Sequence, residues 1–276
     1  MSSRSMSFKA KVNNYAKRNN LPAQVVLQNV MFERFLERLS KSNYRDKFVI
    51  KGGMLISALV GLDTRATMDL DTTLRRLALT EEKVLEAVTR ICEIDLQDDI
   101  SFKINSIDLI RKDDEYGGYR VKFEAIFEQI ITPLSIDVST GDVITPEAIE
   151  YEIGGILDDT VTISLWGYNI ETVLAEKTET ILSRGITNTR PRDFYDIYIL
   201  VKRQQYDVAV FRHALQATAE HRGSWQRIKD EEPVIRQIEG SVVLKDLWEK
   251  YSKAFHYAKD ISFEDTIEAL RKLLSE

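Results

Sequence analysis

The sequence predicts an α+β protein, with a strand-bearing front domain over residues 1–167 and a helical back domain over residues 168–276. Two observations carry that expectation. Short stretches with strand-forming residues or twofold alternation concentrate before about residue 167. From Ile170 onward, apolar residues recur at helical spacing almost without interruption. No Pro/Gly/Ser-rich linker, internal repeat or low-complexity tract divides the chain.

The elements follow in order. Residues 7–40 carry helical spacing, with Asn20 before Leu21-Pro22 as the expected cap and helix start. Phe48-Val49-Ile50 reads as a short buried strand, and Met54 to Val60 as a helix that Gly61 ends. Thr67 to Thr73 reads as a strand. Thr80, followed by Glu81 and Glu82, opens a helix: a hydroxyl cap, then acids that suit the positive end. Phe102 to Ile110 and Tyr119 to Ile130 read as strands joined by a hairpin turn at Asp113-Asp114-Glu115-Tyr116-Gly117-Gly118. In the second of them Tyr119, Val121, Phe123, Ala125 and Phe127 share one face. Leu134 to Val138 and Val161 to Trp166 read as two further short strands.

Composition narrows the function classes. The 276 residues suffice for one large domain or two of ordinary size. No apolar run approaches membrane-spanning length, and the N-terminus lacks a signal-peptide core. The single cysteine, Cys92, excludes an internal disulfide and fits a reducing compartment, so a cytoplasmic protein without a membrane partner is expected. A net charge of −6 argues against a general DNA-coating protein. Residues 1–20 are an exception, with Arg4, Lys9, Lys11, Lys17 and Arg18 and no acid: an arm that touches RNA, or a solvated amphipathic helix.

The stretch FVIKGGMLISALVGLDTRATMDLDTT concentrates the chemistry. Strand alternation turns Thr67, Asp69 and Asp71 one way and sends Met68 and Leu70 to the core. Two carboxylates that close resist joint ionisation unless a cation stands between them, and Mg²⁺ suits carboxylate and phosphate oxygens. Asp137, in LSIDVST, offers a third carboxylate for a two-metal cluster. The plainer alternative leaves Asp69 and Asp71 facing solvent on an edge strand. Gly52-Gly53 stands where a strand meets a helix, so backbone amides there can receive phosphate with no Cβ in the way.

Gly-Gly at a helix start, Asp-x-Asp on the next strand and a later single Asp resemble the active-site pattern of the DNA polymerase β-like nucleotidyltransferases. KGGMLISALVGLDTRATMDLD is similar to the AbiEii/AbiGii toxin branch, toxins of AbiE-type abortive-infection toxin–antitoxin systems. VLAEKTETILSRGITNTRPRDFYDIYIL is similar to that branch's second block, and the two together span residues 48–200. The resemblance implies a nucleotidyltransferase-like mixed sheet with flanking helices, followed by a helical domain that contributes to the active-site cleft. It implies a Mg²⁺- or Mn²⁺-dependent toxin of phage resistance that moves nucleotides from an NTP to RNA, with the tRNA 3′ end a plausible acceptor. It also implies a cognate antitoxin encoded nearby that can act as a repressor without binding the toxin. In this resemblance Asp69, Asp71 and Asp137 bind metal, and Asp69, Asp71, Lys177 and Asp193 are catalytic. Lys51, Gly52, Gly53, Thr67, Lys177, Arg184 and Asp196 bind the nucleotide. One position departs: the superfamily usually has Ser or Thr after the second glycine, where this chain has Met54, which leaves phosphate to the backbone amides or to Ser57 one turn along. Transfer to a protein hydroxyl or a small molecule, and a non-catalytic nucleotide-binding sensor, are the alternatives.

The second block is unusual on physical grounds as well. On a helix over 170–184 the stripe of Ile170, Val173, Leu174 and Ile181 also contains Lys177 and Arg184, while Glu171, Thr178 and Glu179 lie off it. On the helix that Pro191 begins, Asp193 lies among the buried-side residues Phe194, Ile197, Leu200 and Val201, with Asp196 at the edge and Tyr195, Tyr198 and Lys202 elsewhere. Long cations on a core-facing stripe need a reason. A buried ion network of these four residues is one, and a role for Lys177 on nucleotide phosphates is the other. His213, His221 and His256 have no metal-site spacing. Arg212, Arg222, Arg227 and Lys229 surround Trp225, either as a landing for an RNA end or with Trp225 in the core.

Overall fold

Two helices precede the first strand. In the computed structural model, which describes residues 2–110 and 117–275, α1 (Ser3–Arg18) begins where Ser2 Oγ accepts the Ser5 N–H. Asn20 then takes a left-handed φ of 53°, which Asn tolerates, and the Leu21 N–H returns to the Ala16 carbonyl at 2.9 Å. Asn20 thus closes α1 and is not the start of the next helix. That helix, α2 (Ala23–Ser40), begins after Pro22, whose ring already sets a helix-compatible φ.

The strand–helix unit at the first motif forms as β1 (Phe48–Lys51) and α3 (Gly52–Val60), with Gly61 ending the helix at φ 96°. The following strand, β2 (Leu70–Leu74), starts three residues later than its sequence pattern suggests. Helix α2 explains the delay. Its Asn29 and Gln28 side chains donate to the Thr67 and Met68 carbonyls at 2.7 and 3.1 Å, and hold that segment outside the sheet ladder. Met68, expected in the core, is accordingly 45% exposed, while Leu70 is 1% exposed.

Thr80 caps α4 (Glu81–Cys92) by accepting the Lys83 N–H at 3.3 Å. Then come β3 (Ile100–Ile110), β4 (Gly118–Phe127) and β5 (Ile130–Ser139). Of the hairpin turn read at 113–118, residues 113–116 lie outside the described residues, and Gly118 already belongs to β4. Glu128, at φ 52°, turns the chain after β4, so Ile130 opens β5 and does not end β4. The edge-like β6 (Ile149–Gly154), largely exposed, was not legible as a strand, and β7 (Thr162–Gly167) follows it. Among the described residues these strands form one mixed seven-stranded sheet in the order β3-β4-β5-β2-β1-β7-β6. The pairs β2/β5 and β1/β7 are parallel and the rest antiparallel. Helix α2 packs on β5 and β7, α4 on β3 and β4, and α3 on β1 and β2. Phe35 of α2 meets Phe123 of β4 at 5.2 Å between ring centres, which seals the helix-covered face.

The chain forms two compact units: Met1–Asp142 with Ile149–Gly167, and Val143–Ala148 with Tyr168–Glu276. The second is helical: α5 (Ile170–Arg184), α6 (Pro191–Arg203), α7 (Val208–His221), α8 (Trp225–Ile228), α9 (Glu232–Glu239), α10 (Val242–Ala254) and α11 (Phe263–Ser275). Asn169 caps α5 through the Thr172 N–H, and its amide also donates to the Thr145 and Glu147 carbonyls. Helices α5 and α6 are enclosed from several sides, by each other and by α7, α10 and α11. Thr178, Glu179, Tyr195 and Tyr198, all placed off the buried stripes by periodicity, are therefore buried. Among the described residues no helix is long and apolar enough to cross a membrane.

A buried cation holds α2 to the sheet. Arg38 is 1% exposed; its guanidinium donates to both oxygens of Asp98 at 2.7 and 3.0 Å and to the Ile100 carbonyl at 2.7 Å. Replacing one member of such a pair leaves the other charge without its partner. Arg38→Met is expected to lower unfolding free energy by about 3–5 kcal/mol in urea denaturation. An unchanged midpoint would show that Asp98 recovers its solvation without Arg38.

Candidate active site

Register builds the site. Lys51 on β1 is opposite Asp71 on β2, Asp71 is opposite Asp137 on β5, and Asp137 is opposite Arg120 on β4. Residues opposite each other on neighbouring strands present side chains to the same face. Four strands therefore carry a row of charges in the order plus, minus, minus, plus. The row lies on the face opposite the buried residues Val121, Phe123, Leu134 and Ile136 that α2 and α4 cover.

The glycines make room for this row. Gly52 takes φ +64°, and a Cβ there would collide with the Asp71 carboxylate. A Cβ on Gly53 would stand 2.7 Å from Thr67 Oγ1. The start of α3 thus lies directly over Asp71 and Thr67, where its first N–H groups have no partner within the helix. Met54 is buried, as is Ser57. At this helix start, phosphate would meet backbone N–H groups and not the Met54 side chain.

Arg120 was not singled out from the sequence. Its guanidinium makes a two-point pair with Asp137, Nε to Oδ1 and Nη2 to Oδ2, both at 2.6 Å. Those hydrogen bonds and the Asp137 charge, followed by the charges of Asp69 and Asp71, raise its already high pKa further. Its partner lies 17 residues away, and only the β4–β5 register brings the two together. Among the described residues no three His, Cys, Asp or Glu side chains already stand as a metal-binding group. The expected three-carboxylate cluster differs in two ways. Asp69 precedes β2 and is exposed, with its charge still acting on Arg120, and Arg120 holds both oxygens of Asp137. The donors themselves, hard carboxylate oxygens beside a glycine-lined space, do suit a divalent ion.

Lys51 has a partner that sequence reasoning did not find. Its ammonium donates to Asp142 at 2.5 Å and to Ser139 Oγ at 2.9 Å. Burial works against the charge on Asp142, but the Lys51 charge and hydrogen bonds from Lys51 and Ser139 outweigh it and hold the carboxyl at about 2.

The helical unit holds a second polar cluster. Lys177 of α5 donates to Asp193 Oδ1 at 2.6 Å and pairs with Asp196 Oδ2 at 2.9 Å; both aspartates are fully buried in α6. Arg190, also missed, pairs with Asp193 at 2.9 Å. The buried ion network anticipated for Lys177, Asp193 and Asp196 is present. Arg184 does not belong to it: it stands exposed on the last turn of α5, before Gly185 ends the helix. The late basic patch is partly neutralised, with Arg222 on Glu176 and Glu179 and Arg212 on Glu231. The three histidines are exposed. Burial pushes the Cys92 thiol up to about 12, which argues against a thiolate nucleophile there.

A family model described as nucleotidyl transferase AbiEii toxin, type IV toxin–antitoxin system, matches residues 34–270, a span that includes the glycine pair, Asp69, Asp71 and Asp137, and the Lys177 cluster. The chain belongs to this family. AbiEii membership implies a nucleotide substrate and an antitoxin partner. Among solved structures, a candidate nucleotidyltransferase from Helicobacter pylori shares 16% identity over 92% of this chain and 98% of its own, with a TM-score of 0.50. JHP933 from Helicobacter pylori shares 16% over 87% of this chain and 98% of its own, with a TM-score of 0.47. An antigenic nucleotidyltransferase-like protein from Paracoccidioides brasiliensis shares 14% over 78% and 94%, with a TM-score of 0.41. At such identities the first of these speaks to the fold alone, which agrees with the expected nucleotidyltransferase-like sheet and flanking helices. No curated protein sequence matches significantly.

The Lys51–Asp142 pair gives a pH test. A carboxyl whose folded pKa is depressed contributes stability above its ordinary titration range, and that contribution is lost as pH falls through the folded value. Asp142→Asn is expected to cost about 2 kcal/mol near neutral pH in urea denaturation. The gap to the parent protein should narrow steadily from about pH 4 toward about pH 2. A gap independent of pH would contradict the assigned pair.

Proposed function

We propose that the chain is a toxin that transfers a nucleotidyl group from a nucleoside triphosphate to an RNA acceptor, with the 3′ end of tRNA as the acceptor class. The observation that carries this reading is the seating of the α3 start, with its two glycines, over Asp71 beside Asp137. The backbone N–H groups at Gly52 and Gly53 receive phosphate oxygens, helped by the positive end of α3. Asp69, Asp71 and Asp137 are the residues that would hold Mg²⁺ or Mn²⁺. Such an ion, when bound, supplies charge neutralisation on the triphosphate and favours the acceptor alkoxide.

The acceptor oxygen forms its bond to the α-phosphorus as the bond to the bridging oxygen breaks, and pyrophosphate leaves. The acceptor proton passes to one of the carboxylates. Thr67 and Lys51 line the nucleotide side in this reading, with the Lys51 ammonium held by Asp142. Lys177, held by Asp193 and Asp196, and Arg184 are the residues of the helical unit assigned to nucleotide binding in this reading. The antitoxin, encoded nearby, acts as a repressor without binding the toxin, and the setting is the cytoplasm during phage defence.

One observation favours a second reading, a nucleotide-binding sensor without turnover: Arg120 already satisfies both oxygens of Asp137. Incubation with labelled NTPs, Mg²⁺ and total RNA separates the two. Transfer predicts labelled RNA 3′ ends, reduced at least roughly 100-fold in folded Asp69→Ala and Lys177→Ala variants, together with loss of growth inhibition. Undiminished labelling and toxicity in both variants would defeat the mechanism, and calorimetric NTP binding without any labelling would favour the sensor.

A further inference from the structure

The acid-free N-terminal helix borders a cleft of about 740 Å³ in the front unit. Lys11, Tyr15 and Arg18 line it at spacings of four and three residues, so they form one stripe along α1, and Lys17 stands beside them. The opposite wall is Ile156 and Leu157, from the segment between β6 and β7. Tyr15, Ile156 and Leu157 all pack against the cluster of Val12, Ala16, Val26, Val30 and Leu62, so the cleft has an apolar, partly aromatic floor. Lys11, Lys17 and Arg18 form an exposed rim and make no ion pair among the described residues.

Asp63 acts on Tyr15 beside Arg18, while two further nearby acids have other partners. Glu33 accepts the Ile156 N–H at 2.5 Å and pairs with Arg34. Asp158 accepts from the Thr160 hydroxyl and N–H at 2.6 and 3.0 Å. In a chain of net charge −6, Lys11, Lys17 and Arg18 are a local concentration of positive charge beside Tyr15.

We propose that this cleft binds one segment of single-stranded RNA, with a base on the Tyr15 floor and the flanking phosphates on Lys11, Lys17 and Arg18. Cations that track a backbone beside an aromatic platform are the recurrent chemistry of single-strand binding. A duplex fits less well, because its bases are already stacked and cannot reach the floor. A flat anionic membrane would meet the rim and leave the recessed floor unused. The proposal rests on the RNA-acceptor reading and gives the acceptor a docking point built from residues other than the carboxylates.

The test uses the full chain, a short fluorescein-labelled single-stranded RNA, EDTA and no NTP, with anisotropy read over a salt series. The triple variant Lys11→Gln, Lys17→Gln, Arg18→Gln is expected to bind roughly tenfold or more weakly. Its log K against log salt slope should flatten by about 2, three contacts at about 0.7 each. The variant Lys11→Arg, Lys17→Arg, Arg18→Lys should bind as the parent does, and Tyr15→Leu should weaken single-strand binding without flattening the slope. Asp71→Asn should keep RNA binding whatever it does to nucleotide transfer, so the two readings fail separately. Unchanged affinity and slope in the triple glutamine variant would overturn the proposal. So would duplex RNA binding as tightly as single strands, or binding to anionic vesicles with none to RNA.

Discussion

Two aspartates held side by side by strand pairing are the constraint around which the front unit is arranged. Adjacent strands lie about 4.8 Å apart, so Asp71 and Asp137 at one register position repel each other when both are ionised. A cation stands at each end of the row: Arg120 closes on Asp137, and Lys51, itself paired with Asp142, stands beyond Asp71. A slip of one residue in β2 would turn Asp71 toward the helix-covered face and Leu70 away from it. The apolar partners of that face, Leu70, Ile136 and Val121, thereby fix the position of the charges without touching them.

The same row explains why the chain leaves β1 through two glycines. An ordinary residue at Gly52 would have to adopt a left-handed φ and push its Cβ into the Asp71 carboxylate. Bringing a helix start that close to a carboxylate pair sets unpaired backbone N–H groups beside acidic oxygens. A triphosphate together with a divalent ion is a ligand that suits both at once.

Much of this was legible in the residues, because local chemistry determined it. Phe48-Val49-Ile50, the Gly61 stop, the Thr80 cap and the ion network of Lys177 with Asp193 and Asp196 all follow from neighbouring or periodic positions. The rest depends on long-range pairing. Arg120 on Asp137 and Lys51 on Asp142 need the strand register, which a single sequence does not display. Thr67 to Asp69 looks like strand by alternation, yet Asn29 and Gln28 of α2 take the carbonyls a strand would use. Periodicity also assumes one buried face per helix. It therefore missed the burial of Thr178, Glu179, Tyr195 and Tyr198 on helices enclosed from several sides, and it put Arg184 in a stripe that ends before the last turn.

The central claim is that Asp71 and Asp137 share one cation site. Titration of the protein with Mn²⁺, read by the loss of the free-ion electron paramagnetic resonance signal, addresses it without reference to any substrate. The account predicts one binding event in the parent protein, tighter in Arg120→Gln and lost in Asp71→Asn. Equal Mn²⁺ binding by the parent protein and Asp71→Asn would contradict it.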